Sequence, residues 1–292
     1  MIALPTQPKS RKFNYKSLIL VVFLSFSPGH TALARSVAGS ESVSAPSPAY
    51  ADVADLVTAS PLVIKARIAK RKKVNVAQAD PGAEPLRYYL MTAEVESLIR
   101  GDNGVAPTLT FLIPDVPKGT PRPDYMNKKA TVLLFARPGE RPGEIQLISR
   151  NAIQSWTGSL EATVRSITAE LLQGDSAPTI TGIGGAFHIA GTVAGESETQ
   201  IFLKTSTGAP VSLSILRRPG QAPRWGVSLG EIVDESAAPP ARDTLLWYRL
   251  ACGLPPGLPS ESTRSLPMLD AQAARRDYKL VLESLGSCGR TL

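Results

Sequence analysis

The stretch ADLVTASPLVIKARIAKRKKV (residues 54–74) opens the region that decides the fold, residues 51–148, in which a short helical segment precedes about five β-segments. The later β-segments are RYYLMTAEVESLIRG (87–101), TLTFLI (108–113), ATVLLFARPGE (130–140) and IQLIS (145–149). In the first strand, apolar residues at every second position from Leu62 to Ile68 alternate with mostly polar ones, which is typical of a half-buried strand. Residues 131–136 are apolar on both faces and are predicted to form the most central strand. The pattern predicts a small closed barrel.

Residues 1–34 have the composition of a secretory signal peptide. Four basic residues precede a run of about ten apolar ones, and Ala32 and Ala34 supply small residues where a signal peptidase reads them. A membrane anchor is the alternative interpretation, but a spanning helix needs about 20 apolar residues. We therefore predict export to the periplasm or secretion, with no transmembrane anchor after cleavage.

The mature chain is predicted to begin with a flexible tether over residues 35–49, which are rich in Ser, Ala, Gly and Pro. Removing the leader lowers the formal net charge from +7 to about +3, because four basic residues leave with it. A weakly basic, exported chain does not favour a nucleic acid as partner. An envelope protein or a glycan is the predicted class of partner.

The two cysteines of the chain, Cys252 and Cys288, are predicted to form a structural disulfide. In an oxidising compartment a single pair usually oxidises, and a loop of this length gives about 3–4 kcal/mol in the chain-entropy model. Two free thiols or a redox pair are the alternatives, but neither cysteine lies in a C-x-x-C motif. The disulfide is expected to tie two C-terminal helices together.

The predicted fold class is α+β, mainly β with a few helices. An OB-like five-stranded barrel over residues 50–155 is followed by a linking helix over residues 156–175, with Ser159 as its predicted N-cap. Residues 176–292 contain four or five β-segments separated by Gly and Pro turns, and then two helices. This second part is expected to be an antiparallel β unit capped by the two disulfide-tied helices.

Three segments carry a resemblance to a known family. In order, ADLVTASPLVIKARI (54–68), MTAEVESLIRG (91–101) and ATVLLFARPGE (130–140) resemble strands of the netrin-like and tissue-inhibitor-like OB barrels of exported proteins. The resemblance covers about a third of the chain and implies the barrel fold. It does not imply protease inhibition, because the tissue inhibitors bind a protease metal through an N-terminal cysteine and residues 35–155 contain none. The whole chain also resembles exported bacterial proteins without an assigned activity.

One histidine, His188, remains once the leader is removed. A single imidazole does not make a His-rich zinc site, and GIGG at residues 182–185 lacks the G-x-G-x-x-G spacing, so no metal or cofactor is predicted. A Ser-His-Asp hydrolase would use His188, with Ser197 and Asp234 as candidate partners. No G-x-S-x-G elbow accompanies them, so we assign no catalytic residue.

Two sets of residues are candidate ligand surfaces. The first is the basic run Lys70, Arg71, Lys72 and Lys73. It suits a sulfated or phosphorylated polymer, and the alternative is a solvated strand end that its charge protects from pairing. The second, Arg224 with Trp225, suits stacking on a sugar or peptide, although most tryptophans are simply packed.

The scarcity of reactive side chains favours a non-enzymatic binding or structural module of the periplasm or cell envelope. Two alternatives stay open. One is a hydrolase that uses His188, and the other is an inhibitor of an exported protease that acts through an exposed barrel edge.

Overall fold

The computed structural model describes residues 47–76, 86–230 and 237–292. The predicted signal peptide and most of the predicted tether lie outside these residues. The strands are β1 (Leu62–Val76), β2 (Leu86–Arg100), β3 (Thr108–Pro114), β4 (Thr131–Pro138), β5 (Ile145–Leu147), β6 (Ile153–Ser155), β7 (Ile180–Ala190), β8 (Ser197–Thr205), β9 (Val211–Arg217) and β10 (Arg224–Ser228). The helices are α1 (Tyr50–Ala59), α2 (Gly158–Leu172), α3 (Leu245–Gly253) and α4 (Met268–Leu285), with 3-10 turns at Asp124–Met126 and Ser260–Thr263.

Two antiparallel sheets and four helices give the described residues a mainly β, α+β architecture, as predicted. The larger sheet has the order β3-β2-β1-β4-β5, and β6 also pairs with β4. The alternation that predicts β1 is confirmed, because its apolar residues from Leu62 to Ile68 are buried in one core with residues of β2, β3 and β4.

Strand β4 is buried on both faces, as its continuous apolar sequence indicates. The prediction that it is the most central strand is wrong, because β1 is the middle strand of the larger sheet. Leu134 faces the core of the larger sheet, whereas Phe135 faces the helices. The Phe135 carbonyl accepts a hydrogen bond from Ile148 N–H at 3.2 Å, and its own N–H donates to the Ala152 carbonyl at 2.8 Å. Strands β5 and β6 are therefore two halves of one interrupted strand, and the sequence pattern predicts only the first half.

The closed barrel expected from the sequence is not observed among the described residues. Strands β3 and β5, at the two ends of the larger sheet, meet at a single parallel bridge between Thr110 and Glu144. Thr110 N–H donates to the Gly143 carbonyl at 2.8 Å, and no ladder continues from this contact. The physical reason is the shortness of β5, which ends at Leu147 before it can extend along β3.

The β1–β2 hairpin extends well beyond β4, whereas β3 accompanies β2 as far as Tyr88, which pairs with Pro114. The β1–β4 ladder ends at Arg67, where it pairs with Thr131, whereas the β1–β2 ladder continues from there to Val76 and Leu86. An irregularity at Ala69 shifts the register between the two parts of β1. The distal half of β1 therefore has a strand partner on one edge only.

The smaller sheet is an antiparallel meander in the order β10-β9-β8-β7. Ile201, Leu213 and Trp225 project from it into a second core that it shares with the four helices and with Phe135. In β10, a Cβ added to Gly226 would lie 2.3 Å from the carbonyl oxygen of Ala237. The chain approaches so closely at this point that the position requires glycine.

Helix α2 begins two residues earlier than the sequence predicts. The Thr157 hydroxyl accepts a hydrogen bond from Leu160 N–H at 3.1 Å and is the N-cap, so the prediction of Ser159 at this position is wrong. The Glu170 carboxylate of α2 accepts from Leu245 N–H at 2.8 Å. Helix α2 thus supplies a hydrogen-bond acceptor to the first turn of α3, where backbone N–H groups have no partner within the helix.

The predicted disulfide between Cys252 and Cys288 is present and joins the end of α3 to the segment after α4. Beyond it, Asp52 of α1 accepts hydrogen bonds from the Thr291 N–H and hydroxyl at 2.9 and 2.6 Å. Asp55 accepts from Arg290. We call Asp52, Asp55, Arg290 and Thr291 the C-terminal latch. None of the described helices is both long and apolar enough to cross a membrane.

Candidate functional site

The basic run predicted as a ligand surface lies on the extended half of β1, and the structure adds further cations around it. Cross-strand partners place Arg71 opposite the buried Met91 and Lys73 opposite the buried Tyr89, so Lys70 and Lys72 project from the other face. One strand therefore presents positive charge on both faces.

The loop between β3 and β4 brings more cations to the same end of the sheet. It begins where Asp115 N–H donates to the Arg87 carbonyl at 2.9 Å, and it ends where Lys129 N–H donates to the Ile68 carbonyl at 2.8 Å. We define the basic surface as the nine cations that these elements carry. They are Lys70, Arg71, Lys72, Lys73, Arg87, Lys118, Arg122, Lys128 and Lys129.

Almost none of these charges is neutralised within the described part of the chain. The sole ion pair that the basic surface makes there joins Lys73 to Asp115 at 3.4 Å, and Asp124 is the other carboxylate of the loop. Arg71 donates to the Met126 carbonyl at 2.9 Å, an uncharged partner. All the members except the half-buried Arg71 are exposed. The surface therefore has a large local excess of positive charge.

Tyr89 fixes the inward-facing pair of cations. The Arg71 guanidinium and the Lys73 ammonium lie 5.3 and 5.4 Å from the centroid of its buried ring, within the range of cation–π attraction. The contact with Tyr89, together with Asp115, raises the pKa of Lys73. Both cations are thus held against the ring of Tyr89.

Lys129 adopts a backbone conformation that favours glycine, with φ at 67°. Such a conformation costs an L-residue about 1 kcal/mol. The chain nevertheless carries a lysine at this position, next to Lys128 and opposite Ile68. Strain of this kind concentrates at functional positions, which is consistent with a ligand-binding role for the surface.

A second polar cluster lies where β1 meets the start of α2. The Glu161 carboxylate accepts hydrogen bonds from Lys65 at 2.9 Å, from Trp156 Nε1 at 2.6 Å and from Arg165 at 2.9 Å. These three donors lower the pKa of Glu161 to about 2. Lys65 of β1 therefore binds a residue of α2 rather than one of the neighbouring strand β2. Arg67 does pair with Glu96, at 2.6 Å.

The other predicted ligand surface does not present an aromatic ring. Trp225 is 7% exposed, and its Nε1 donates to the Ser284 hydroxyl at 2.8 Å. Its ring belongs to the core between the smaller sheet and the helices, which leaves no free face for stacking. Arg224 beside it is exposed. The basic run and Arg224–Trp225 lie on different sheets and form no common site.

His188 belongs to a hydrogen-bonded chain across the smaller sheet and α4. Its Nδ1 lies 2.8 Å from the Thr199 hydroxyl, which donates to the Asp277 carboxylate. Arg217 binds the other oxygen of Asp277 at 2.7 Å. Since Thr199 gives its one hydrogen to Asp277, His188 must donate to Thr199 and carry a hydrogen on Nδ1.

This order differs from that of a catalytic triad, in which the imidazole lies between hydroxyl and carboxylate. Here the hydroxyl is central, and Thr199 and Asp277 are 0% and 1% exposed. Of the predicted partners of His188, Ser197 pairs with Ala190 instead, and Asp234 lies outside the described residues. The arrangement fits a buried polar brace between β7, β8, β9 and α4.

A cleft of about 480 Å³ lies at the end of the larger sheet where β3 and β5 fail to close. Leu109 and Ile145 contribute to its apolar floor, and Asp102 and Glu140 to its polar rim.

Residues 182–185, with the sequence GIGG, lie at irregular positions of β7 and do not form a phosphate-binding loop. Within the described ranges, no three His, Cys, Asp or Glu side chains are grouped so as to hold a metal ion.

Comparison with known proteins assigns no function to these sites, because no family model matches the chain and no curated protein matches it.

The sequence analysis identified Lys70–Lys73 as a candidate ligand surface but missed Lys128, Lys129 and Trp156. The Lys128–Lys129 pair directly before β4 was a visible signal. The sequence does not show that this pair lies next to β1, because that placement depends on the backbone hydrogen bond between Lys129 and Ile68.

Proposed function

We propose that this protein is an exported binding module of the periplasm or cell envelope that holds an anionic polymer on its basic surface. The observation that carries the proposal is the set of exposed cations without carboxylate partners at one end of the larger sheet. Clustered cations without carboxylate partners sum to a positive surface potential, which attracts anionic ligands. A polymer fits better than a small anion because the cations are spread along a strand and a loop.

The export part of the proposal rests on the leader sequence, and the disulfide between Cys252 and Cys288 supports it. For the fold, we propose that the larger sheet is an open relative of the OB-like barrels of netrin-like domains. The strand order and the parallel bridge between Thr110 and Glu144 support this relation. OB-like barrels commonly bind polymers on their strands and loops.

The experiment is a titration with inorganic polyphosphate, a polyanion without sugar or base, at low ionic strength. Lys70→Glu with Lys72→Glu reverses two exposed charges of the basic surface. Arg264→Glu with Arg276→Glu reverses two exposed charges elsewhere and is the matched control. We expect the first variant to bind at least about tenfold more weakly than wild type, and the control to change by less than about threefold. Equal losses in both variants, or no binding by the wild type, would reject the proposal.

The two alternatives are tested separately. If the protein is a hydrolase, His188→Ala removes a turnover that the wild type shows, while the fold stays intact. The buried, central hydroxyl of Thr199 argues against this reaction. If it is a protease inhibitor, the unpaired edges of β3 and β5 are its contact surface, and an exported protease should co-purify with the wild type.

A further inference from the structure

Trp156 lies directly beside the basic surface. Its backbone N–H donates to the Thr131 carbonyl at 3.0 Å. Thr131 is the residue that pairs with Arg67 at the end of the β1–β4 ladder. Lys129 N–H binds the Ile68 carbonyl one step further along β1. Residues 129 and 131 are two positions apart, so their backbones lie within about 7 Å of each other, and Trp156 adjoins the Lys129 end of the basic surface.

The ring of Trp156 is held in one orientation before any ligand arrives. Its Nε1 donates to Glu161 at 2.6 Å, and the Lys65 ammonium lies 4.3 Å from the ring centroid. The residue is nevertheless 39% exposed, whereas Trp225 and Trp247 are 7% and 3% exposed. An aromatic ring that is both fixed and exposed loses little conformational freedom on binding, which suits a stacking platform.

The charges around Trp156 cancel, unlike those of the basic surface. Glu161 is bound by Lys65 and Arg165, and Arg67 is bound by Glu96. Glu94, opposite Arg67 in the ladder, adds a further carboxylate. A ligand that crosses this face thus meets a neutral aromatic site first and then a row of unpaired cations.

We propose that the anionic polymer is a glycan, with Trp156 stacked on the apolar face of a sugar ring and the basic surface bound to its sulfate or phosphate groups. This inference rests on the proposed function and narrows its ligand. From Arg67 to Lys72 the strand extends about 16 Å, which accommodates several sugar units. A polymer of phosphate alone has no apolar face and gains nothing from the ring.

An anionic bilayer is the competing ligand, because Val76 and Leu86, the last described pair of the β1–β2 ladder, are exposed. Val76 lies nine residues, or about 30 Å, along β1 from Arg67, which is opposite Thr131. A flat membrane that contacts Val76 and Leu86 would leave Trp156 unused. The fixed and exposed ring therefore favours the glycan.

The test compares dextran sulfate, a sulfated glucose polymer, with inorganic polyphosphate as ligands of wild type, Trp156→Ala and Trp156→Phe. We expect Trp156→Ala to weaken dextran sulfate binding about tenfold, as removal of one stacking contact does, and to change polyphosphate binding less than about twofold. Trp156→Phe should keep part of the affinity. Because the other two tryptophans are buried, the wild-type fluorescence should respond to dextran sulfate and not to polyphosphate.

Polyphosphate binding also reports that each variant is folded. Equal loss for both polymers, or no loss for either, overturns the glycan inference and leaves the polyanion proposal standing. A wild type that binds polyphosphate but not dextran sulfate has the same consequence, and a wild type that binds neither overturns both. Tighter binding to anionic phospholipid vesicles than to dextran sulfate, lost in Val76→Asp, would assign the surface to a membrane.

Discussion

The C-terminal latch and the basic surface are both rich in charge, yet they are built in opposite ways. In the latch, Asp52 accepts hydrogen bonds from Thr291, Leu292 and Ala49, and Asp55 is bound by Arg290 and by Tyr248 at 2.5 Å. In the basic surface, one cation of nine has a carboxylate partner among the described residues.

This difference separates charges that hold the fold from charges that are free for a ligand. A paired charge that is removed leaves its partner without compensation, so the folded state loses stability. An exposed, unpaired cation contributes little to stability, so its removal is felt mainly by whatever binds it. Substitutions in the two kinds of region should therefore affect different measurements.

The largest loss of stability is expected at Asp277, which is 1% exposed and binds Arg217 and Thr199. Asp277→Ala leaves the half-buried guanidinium of Arg217 without its carboxylate and the buried Thr199 hydroxyl without its acceptor, and should cost about 3–5 kcal/mol of unfolding free energy. Glu283→Ala, at an exposed site of the same helix, is the control and should cost less than about 0.5 kcal/mol. Denaturant unfolding measures both. A small effect of Asp277→Ala would contradict the structural assignment of the His188 chain.

The disulfide is expected to have the next largest effect. Replacement of Cys252 and Cys288 by serine should lower the unfolding free energy by about 3–4 kcal/mol, because the unfolded chain regains the freedom of a loop that spans 36 residues. The reduced wild type should match the variant in thermal stability. Polyphosphate affinity should not change at a temperature where both are folded, and a loss of affinity would link the disulfide to the basic surface.

Glu161 should show a smaller effect that depends on pH. Its three donors lower its pKa to about 2 in the folded protein, below its value of about 4.3 in an unfolded chain. The carboxylate therefore stabilises the fold fully above about pH 5, and this contribution is lost as the pH falls through 4 towards 2. Glu161→Gln should be less stable by about 1–2 kcal/mol at pH 7.

The difference between Glu161→Gln and wild type should shrink in acid, as measured by denaturant unfolding across the pH range. Glu283→Gln on α4 serves as the exposed control and should follow the wild-type profile. A constant difference between Glu161→Gln and wild type at every pH would show that packing rather than charge is lost.

The smallest effect on stability, and one of opposite sign, is expected at Lys129. Lys129→Gly relieves the left-handed backbone and should raise the unfolding free energy by about 1 kcal/mol, while weakening polyphosphate binding. Asp243→Gly, at φ 59°, is the matched control and should stabilise without a change in affinity. If Lys129→Gly binds as tightly as wild type, the strained lysine has no part in the site.

Strand periodicity predicted most of the fold, because alternation depends on local burial. Both faces of β4 and the apolar face of β1 were correctly identified in this way. The absence of barrel closure was not predictable, since it depends on where β5 ends and how it meets Thr110. The N-cap of α2 was placed two residues late, because Thr157 and Ser159 are equally suitable by type.

The candidate site was predictable only in part. A run of four basic residues is visible in the sequence, but the cations that join it come from a distant loop through one backbone hydrogen bond at Ile68. Composition does not reveal which tryptophan is exposed, so the sequence analysis names Trp225 rather than Trp156 as the candidate stacking residue. The three tryptophans differ only in the tertiary packing that buries two of them.

The central claim is that the unpaired cations around β1 bind an anionic polymer. The most direct measurement is the slope of log affinity for polyphosphate against log salt concentration, for wild type and for Lys70→Ala with Lys72→Ala and Lys128→Ala. Each cation that contacts the polymer contributes close to one unit of slope. The account predicts a steep negative slope for wild type that is shallower by about three units in the variant. The same slope in both proteins would contradict it.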